Sequence, residues 1–456
     1  MRASLLSHLA GAVAAALLGP ATAEDDRQVM RNGRVVPALQ GIWRSRGYGY
    51  VVKMDGRGPE LFHVAGDFCY PDPRGERDPD DIFEYYRQIG PSTVAFSSEP
   101  GDSRYVFDRV SNLPAACSDR TPWTPSRIAA LVAATFTDLY PSFAEFGVDW
   151  KARVAALESQ RANITDDRSL FEALRTLLAG IEDAHVELHG SAAGKSVELV
   201  PGDGSTLTQV AAKFGPERQW RQAYRREVLA TILQGKGHEV ANGRVLWGRV
   251  GNVGYINLLT LFGYGPDGAG RAAADAVFDR AFAAFDGVRA VIVDVSSNTG
   301  GSDAFALHVT SRFADRRRLA FTKIAVGARG IEPQALHLEP SARSRYLGPV
   351  YVLVSDVTVS AGEIFALTMR TLPNVVLVGT RTRGAFSDAI DKPLPNGWKL
   401  NLSAEVYRDA QGIWHETKGV PPQLKRDVFP PDDLVGGHTR LVLDLMKEIE
   451  ERGRLN

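Results

Sequence analysis

The chain has 456 residues, 44% of them hydrophobic and 23% charged, with a formal net charge of -1. This is ordinary globular composition, which excludes a disordered or membrane-filling chain. Near-neutral charge without a basic tract or a zinc-type cysteine cluster argues against nucleic acid or anionic lipid as a general partner. The length allows two or three cored domains.

The first residues carry Arg2, an apolar stretch over 5–18, then Ala21-Thr22-Ala23 before the acidic run Glu24-Asp25-Asp26. A charged start, a hydrophobic middle and a small-residue cleavage site make a secretory signal peptide the expectation for residues 1–23. No later stretch reaches the roughly 20 apolar residues that a bilayer span needs. A secreted or periplasmic mature chain beginning at Glu24, without a stable membrane span, is therefore expected. In an oxidising compartment Cys69 and Cys117 are expected to bridge, with two separate buried thiols as the alternative.

Residues 24–122 read as a β-rich domain. Trp43, Tyr48, Tyr50, Val51 and Val52 precede the turn cluster Asp55-Gly56-Arg57-Gly58-Pro59, and the apolar run 61–65 completes a hairpin. Dense Pro, Asp and Gly over 67–81 predict a long loop. A helical segment, 123–190, opens at Thr124-Pro125-Ser126 and carries apolar stripes at Ile128, Leu131, Val132 and Phe136 and at Leu170, Leu174, Leu177 and Leu178. It ends in Asp183-Ala184-His185. Residues 191–250 read as an irregular connection with a polar helix near 217–233 and without a clear PDZ module. From 251 to 456 strands and helices alternate: strands at 253–261, 288–295, 350–354 and 375–378, helices at 271–285, 302–313 and 361–370. An Asn396-Gly397 hairpin turn and a helix over 441–449 close the chain. The alternation predicts an α/β domain with a buried sheet.

Several residues could carry chemistry. Ser360 follows a buried strand and enters a helix, where backbone amides favour a developing negative charge. Ser360 and Glu363 also have capping-box spacing, and that is the better reading of the pair alone. Asp294-Val295-Ser296-Ser297-Asn298-Thr299-Gly300-Gly301 lies between a strand and a helix, and its paired glycines can turn amides towards a ligand. His185, His189 and His415 compete as bases, and composition does not choose among them. Glu416, in isolation, reads as a surface carboxylate.

Taken in order, these segments resemble the tail-specific (C-terminal processing) protease family in its tricorn-like branch. The resemblance rests on Asp183-Ala184-His185, on residues 294–301, on Ser360-Ala361-Gly362-Glu363, on Val378-Gly379-Thr380-Arg381-Thr382-Arg383-Gly384 and on residues 416–422, and it covers roughly 126–430. It implies a crotonase-like ββα spiral and a serine-type peptidase without metal or cofactor, acting on a peptide or protein. It assigns Ser360 as nucleophile, His185 as base and Glu416 as the carboxylate that orients the base. It draws the oxyanion hole from the amides of Gly300, Gly301 and Ala361. Serine needs a base to take its proton, and imidazole suits that task. Where one branch of the family places a lysine base, directly after Gly384, this chain has Ala385. It also departs from the pattern at Ser296 (arginine in the family), at Ala184 (serine in tricorn) and at Gln423 (aspartate in the family). The alternatives are a non-proteolytic ligand- or peptide-binding protein on the same scaffold and, ranked last, a crotonase-like thioester enzyme.

Overall fold

The computed structural model describes residues 26–75, 81–265 and 270–452. The predicted signal stretch, 1–23, lies outside the described residues. Among those described, no helix is long and apolar enough to cross a membrane.

The C-terminal half is built on a seven-stranded sheet in the order His238–Val240, Val245–Val250, Val253–Leu258, Ala290–Asp294, Val350–Val354, Val375–Gly379, Leu424–Lys425. The first three strands pair antiparallel and the rest parallel. Alternate residues of each strand enter different cores. Val291, Val293, Val350, Val352 and Val354 join helices α6 (Arg271–Ala284), α7 (Asp303–Thr310) and α8 (Ala361–Met369) on one face. Ala290, Ile292, Tyr351 and Leu353 join α4 (Gly204–Phe214), α5 (Glu217–Glu227) and α9 (Gly436–Arg452) on the other. A sheet covered on both faces needs strands that are apolar throughout, which is why these read as unbroken hydrophobic runs. Helix α8 is buried along its whole length, and apart from Glu363 and Thr368 it carries no polar side chain.

The N-terminal unit is an eight-stranded sheet whose neighbouring strands all pair antiparallel. The 50–55 and 58–65 strands form the hairpin, with Asp55 opposite Gly58. The long loop predicted over 67–81 needs correction. Phe68–Pro71 is a strand that extends the sheet, paired to Phe62–Ala65, and residues 76–80 lie outside the described set. Cys69 in that strand is bonded to Cys117. The sheet packs on α1 (Pro125–Leu139), α2 (Trp150–Gln160) and α3 (Asp167–Leu177), and one apolar core runs from Trp43 and Phe96 through Leu131 and Leu174 to Trp398 and Leu400.

Residues 190–250 are more regular than their polarity suggested. Glu187–Ala192 and Lys195–Leu199 form a hairpin, and α4 and α5 follow. The Glu187–Ala192 strand also pairs with Lys399–Ser403, placing Glu187 opposite Asn401 and His189 opposite Lys399. This register ties the chain just after His185 to the C-terminal half. The turn at Asn396-Gly397 closes the hairpin between Ala389–Pro393 and Lys399–Ser403.

Candidate active site

The carboxyl ends of the parallel strands Ala290–Asp294, Val350–Val354 and Val375–Gly379 lie side by side, the usual place for a site in an α/β sheet. Each is followed by one of the motif segments, so the topology alone gathers residues 294–301, 355–363 and 380–387.

Ser360 has φ 57° and ψ -129°, a conformation that non-glycine residues rarely adopt. Such a residue costs on the order of 1–3 kcal/mol and persists only where its surroundings fix it. Here Ser360 N–H donates to Ala385 O at 3.0 Å, and Ser360 O accepts from the amides of Glu363 and Ile364. The capping-box reading fails on geometry: the Ser360 side chain makes no cap hydrogen bond, which leaves its hydroxyl outside the helix ladder. Glu363 turns inward instead. Its Oε1 accepts from Thr382 Oγ1 at 2.5 Å and Gly384 N–H at 2.7 Å, and its Oε2 from Ala385 N–H at 2.8 Å. Burial pushes its carboxyl up to about 7 against the pull of those donors. Glu363 thus holds the segment whose carbonyl holds Ser360.

Gly300 packs against the serine; a Cβ there would lie 2.7 Å from Ser360 Cβ and 3.2 Å from its Oγ. Only glycine permits this approach. The Gly300 N–H, however, donates to Asn298 Oδ1 at 2.8 Å, so it is committed within the turn and does not point to a ligand. Of the amides named from the sequence, Gly301 and Ala361 remain. Leu261 N–H donates to Gly300 O and Leu261 O accepts from Ser302 N–H, a parallel bridge that leaves the Gly301 N–H on the opposite edge. Ala361 is the first residue of α8, where helix amides lack an internal partner.

Asp294 anchors this loop from below. Its Oδ2 is 2.7 Å from His438 Nε2 of α9 and accepts from Tyr255 OH at 2.6 Å, while Ser296, at the position of the family arginine, donates N–H and Oγ–H to Oδ1. Burial alone would raise this carboxyl, but His438 and the hydroxyl donors bring it down to about 2.

Glu416 is not a surface carboxylate but is buried to 1% exposure, accepting from Phe386 and Ser387 N–H at 3.2–3.3 Å. Burial raises its carboxyl well above the ordinary range, the nearby Asp183 and Glu363 carboxylates raise it further, and the two amides act against them. Asp183, also buried, accepts from His185 N–H at 2.8 Å and from Tyr140 OH at 2.9 Å. The His185 loop therefore meets Glu416 and Glu363 in one buried carboxylate-rich region. No hydrogen bond joins His185 to Ser360 or Glu416 among the described residues, and His185 Nδ1 is buried with no partner. Catalytic hydrogen bonds are commonly loose without substrate.

The other two candidate histidines each have a carboxylate partner. His189 lies on a hairpin, 3.2 Å from Glu187, and His415 is buried with Nε2 2.8 Å from Asp409. Lys323 is buried among Ser103, Asp388, Glu405 and Tyr407; burial alone would lower its ammonium, but Asp388, Glu405 and Asp303 more than reverse this and raise it. These carboxylates favour its charged form. Sequence reasoning missed Tyr140, Asn298 and Thr382 as site residues. Asn298 and Thr382 stand inside quoted motifs, whereas nothing in the sequence marks Tyr140. Among the described residues no group of His, Cys, Asp and Glu is spaced to hold a metal ion.

Comparison with known proteins finds similarity over the same segment. Residues 252–426, the segment holding the sheet, the 294–301 loop, Ser360 and Glu416, match peptidase family S41. The carboxy-terminal processing protease CtpA of Bacillus subtilis (strain 168) is 27% identical over 143 residues, 31% of this chain and 29% of that protein. The chloroplastic C-terminal processing peptidase of Tetradesmus obliquus is 27% identical over 150 residues, 32% of this chain and 31% of its own. The chain thus matches somewhat under a third of the length of these relatives. A crystal structure from Parabacteroides merdae ATCC 43184 superposes with a TM-score of 0.58 at 23% identity, over 74% of this chain and 100% of that one. Mature CPAF does so with a TM-score of 0.51 at 14% identity, over 72% and 97%. At these identities the structural likeness shows the mixed α/β fold.

Proposed function

We propose that the protein is an exported serine peptidase that cuts peptide bonds through an acyl-enzyme on Ser360. The observation that carries this reading is the backbone of Ser360: a strained residue between a buried strand and a buried helix, its hydroxyl uncommitted to the helix, beside a glycine with no room for a Cβ. A sharp strand-to-helix turn of this kind exposes a nucleophile and sets it next to helix-terminal amides. The S41 match over the same segment, together with the two C-terminal processing relatives, supports peptide-bond chemistry. The order of elements around the parallel strands is compatible with a crotonase-like ββα spiral.

Ser360 Oγ attacks the carbonyl carbon of the scissile bond and gives its proton to His185. The carbonyl π electrons move to oxygen, and the oxyanion accepts from the Gly301 and Ala361 amides. Collapse breaks the C–N bond, and His185 returns the proton to the departing amine. Water then repeats the sequence on the acyl-enzyme, with the serine as leaving group. In this reading Glu416 orients the base, and an imidazolium on His185 would offset the carboxylates gathered at Asp183, Glu363 and Glu416.

Cleavage of a peptide by the purified chain, read by mass spectrometry, tests the assignment. Ser360→Ala and His185→Ala are expected to lose about a thousandfold or more in kcat with folding intact, and Glu416→Gln to lose roughly two orders of magnitude less than either. Turnover at the wild-type rate in His185→Ala would overturn the assignment of the base.

A further inference from the structure

Arg383 makes a bridge that the reaction scheme above does not use. It lies between Thr382 and Gly384, in the segment held by Glu363. Its backbone N–H donates to Thr358 O at 3.0 Å and its Nε to Asp356 O at 2.6 Å, both in the turn that leads into Ser360. Its Nη1 reaches in the other direction, to Gly202 O. Gly202 in turn packs on the loop that carries the base: a Cβ at this residue would lie 2.8 Å from Ala184 N and from Glu182 O. Gly204 lies against the flat guanidinium, where a Cβ would come within 2.9 Å of Arg383 Cζ. A second tie runs in parallel, since Asp356 Oδ2 accepts from Ser205 Oγ and Thr206 N–H at the start of α4, both at 2.9 Å.

Nucleophile and base come from segments far apart in the chain, and no hydrogen bond between them is described. Their relative position must therefore be fixed through intermediaries, and catalytic rates fall steeply with small misplacement of reacting groups. We infer that Arg383 is a positioning residue, a guanidinium clamp that sets the base loop 182–185 against the nucleophile turn 355–360. Only a rigid fork with donors aimed in different directions can serve both carbonyls, and a lysine with one ammonium cannot reproduce it. Burial works against the guanidinium charge, while Asp356, Glu363, Asp203 and Glu217 act in its favour. The inference rests on the peptidase reading for its catalytic consequence, but the clamp itself is a statement about two loops.

The test combines two readouts on the full chain. The first is the rate of fluorophosphonate labelling at Ser360 in wild type, Arg383→Ala and Arg383→Lys. Arg383→Ala is expected to label about 100-fold more slowly. Guanidinium ion well below denaturing concentrations should restore at least tenfold of this, and ammonium at equal ionic strength should not. Arg383→Lys should fall between the two and is read by the same criteria if Arg383→Ala does not fold. The second readout is amide hydrogen exchange, in which segments 182–188 and 355–360 should lose protection together in the variants. Unchanged labelling, or loss of labelling with 182–188 fully protected and no rescue by guanidinium, would overturn the clamp. Failure of wild type to label at all would count against the peptidase reading, and exchange would then decide the clamp alone: joint loss supports it and unchanged protection sinks it.

Discussion

Glu363 holds a proton into the neutral range because burial disfavours its charge more than Thr382, Gly384 and Ala385 favour it. Its carboxyl stands at about 7 in the folded protein and near 4.5 in an unfolded chain, so between these values the folded state binds the extra proton. Stability from this group is fully present below about pH 4.5 and is lost as pH rises through 7. Asp294 runs the opposite way: lowered to about 2, it stabilises above its ordinary value and ceases to do so as pH falls towards 2. Chemical denaturation across pH 4.5–7 should therefore show a shallower fall of unfolding free energy in Glu363→Gln than in wild type. The variant should also be about 1–3 kcal/mol less stable at pH 5, since its amide cannot accept from both Gly384 and Ala385. An unchanged pH slope would show that Glu363 is not the titrating group.

At the scale of elements, Cys69–Cys117 fastens the last strand of the N-terminal sheet to a short helical turn, 48 residues apart in sequence. Closing a loop of that length removes unfolded-chain entropy worth about 4 kcal/mol. Reduction, or Cys69→Ser with Cys117→Ser, should lower the denaturation midpoint with the far-UV spectrum retained. An unchanged midpoint would mean that the bond merely decorates a core that is already sufficient. The catalytic strands were legible because burial on both faces demands unbroken apolar runs such as 350–354, and the 396–397 turn because Asn-Gly favours positive φ. Phe68–Pro71 was hidden by the prolines, glycines and aspartates around it, and its place as an edge strand explains why Pro71 is tolerated. Ser360 and Glu363 were legible as a pair, but their spacing pointed to a cap. A cap needs ordinary extended backbone at the serine, and the positive φ that rules this out is set by contacts with residues 300 and 385, which no local pattern records. Likewise, Glu416 is exposed by composition and buried by tertiary structure alone.

At the scale of the molecule, the N-terminal sheet and the catalytic half are joined through buried polar contacts as well as a shared apolar core. Tyr48 OH donates to Glu405 at 2.6 Å, Lys392 Nζ to Tyr48 O at 2.6 Å, and Ser103 meets both Lys323 and Asp388. Asp303 of α7, two residues beyond Gly301, accepts from Tyr407 OH at 2.9 Å in the same cluster. The 294–301 loop is thus seated on a network that reaches the N-terminal unit. The 187–192 strand, paired with 399–403, seats the base loop on the same catalytic half. The central proposal is that Ser360 is a nucleophile activated by His185. The most direct measurement is labelling of the purified protein with a fluorophosphonate probe, followed by peptide mapping. A single adduct on Ser360, absent in Ser360→Ala and strongly slowed in His185→Ala, is the result expected. No adduct, an adduct on another residue, or full-rate labelling without His185 would contradict it.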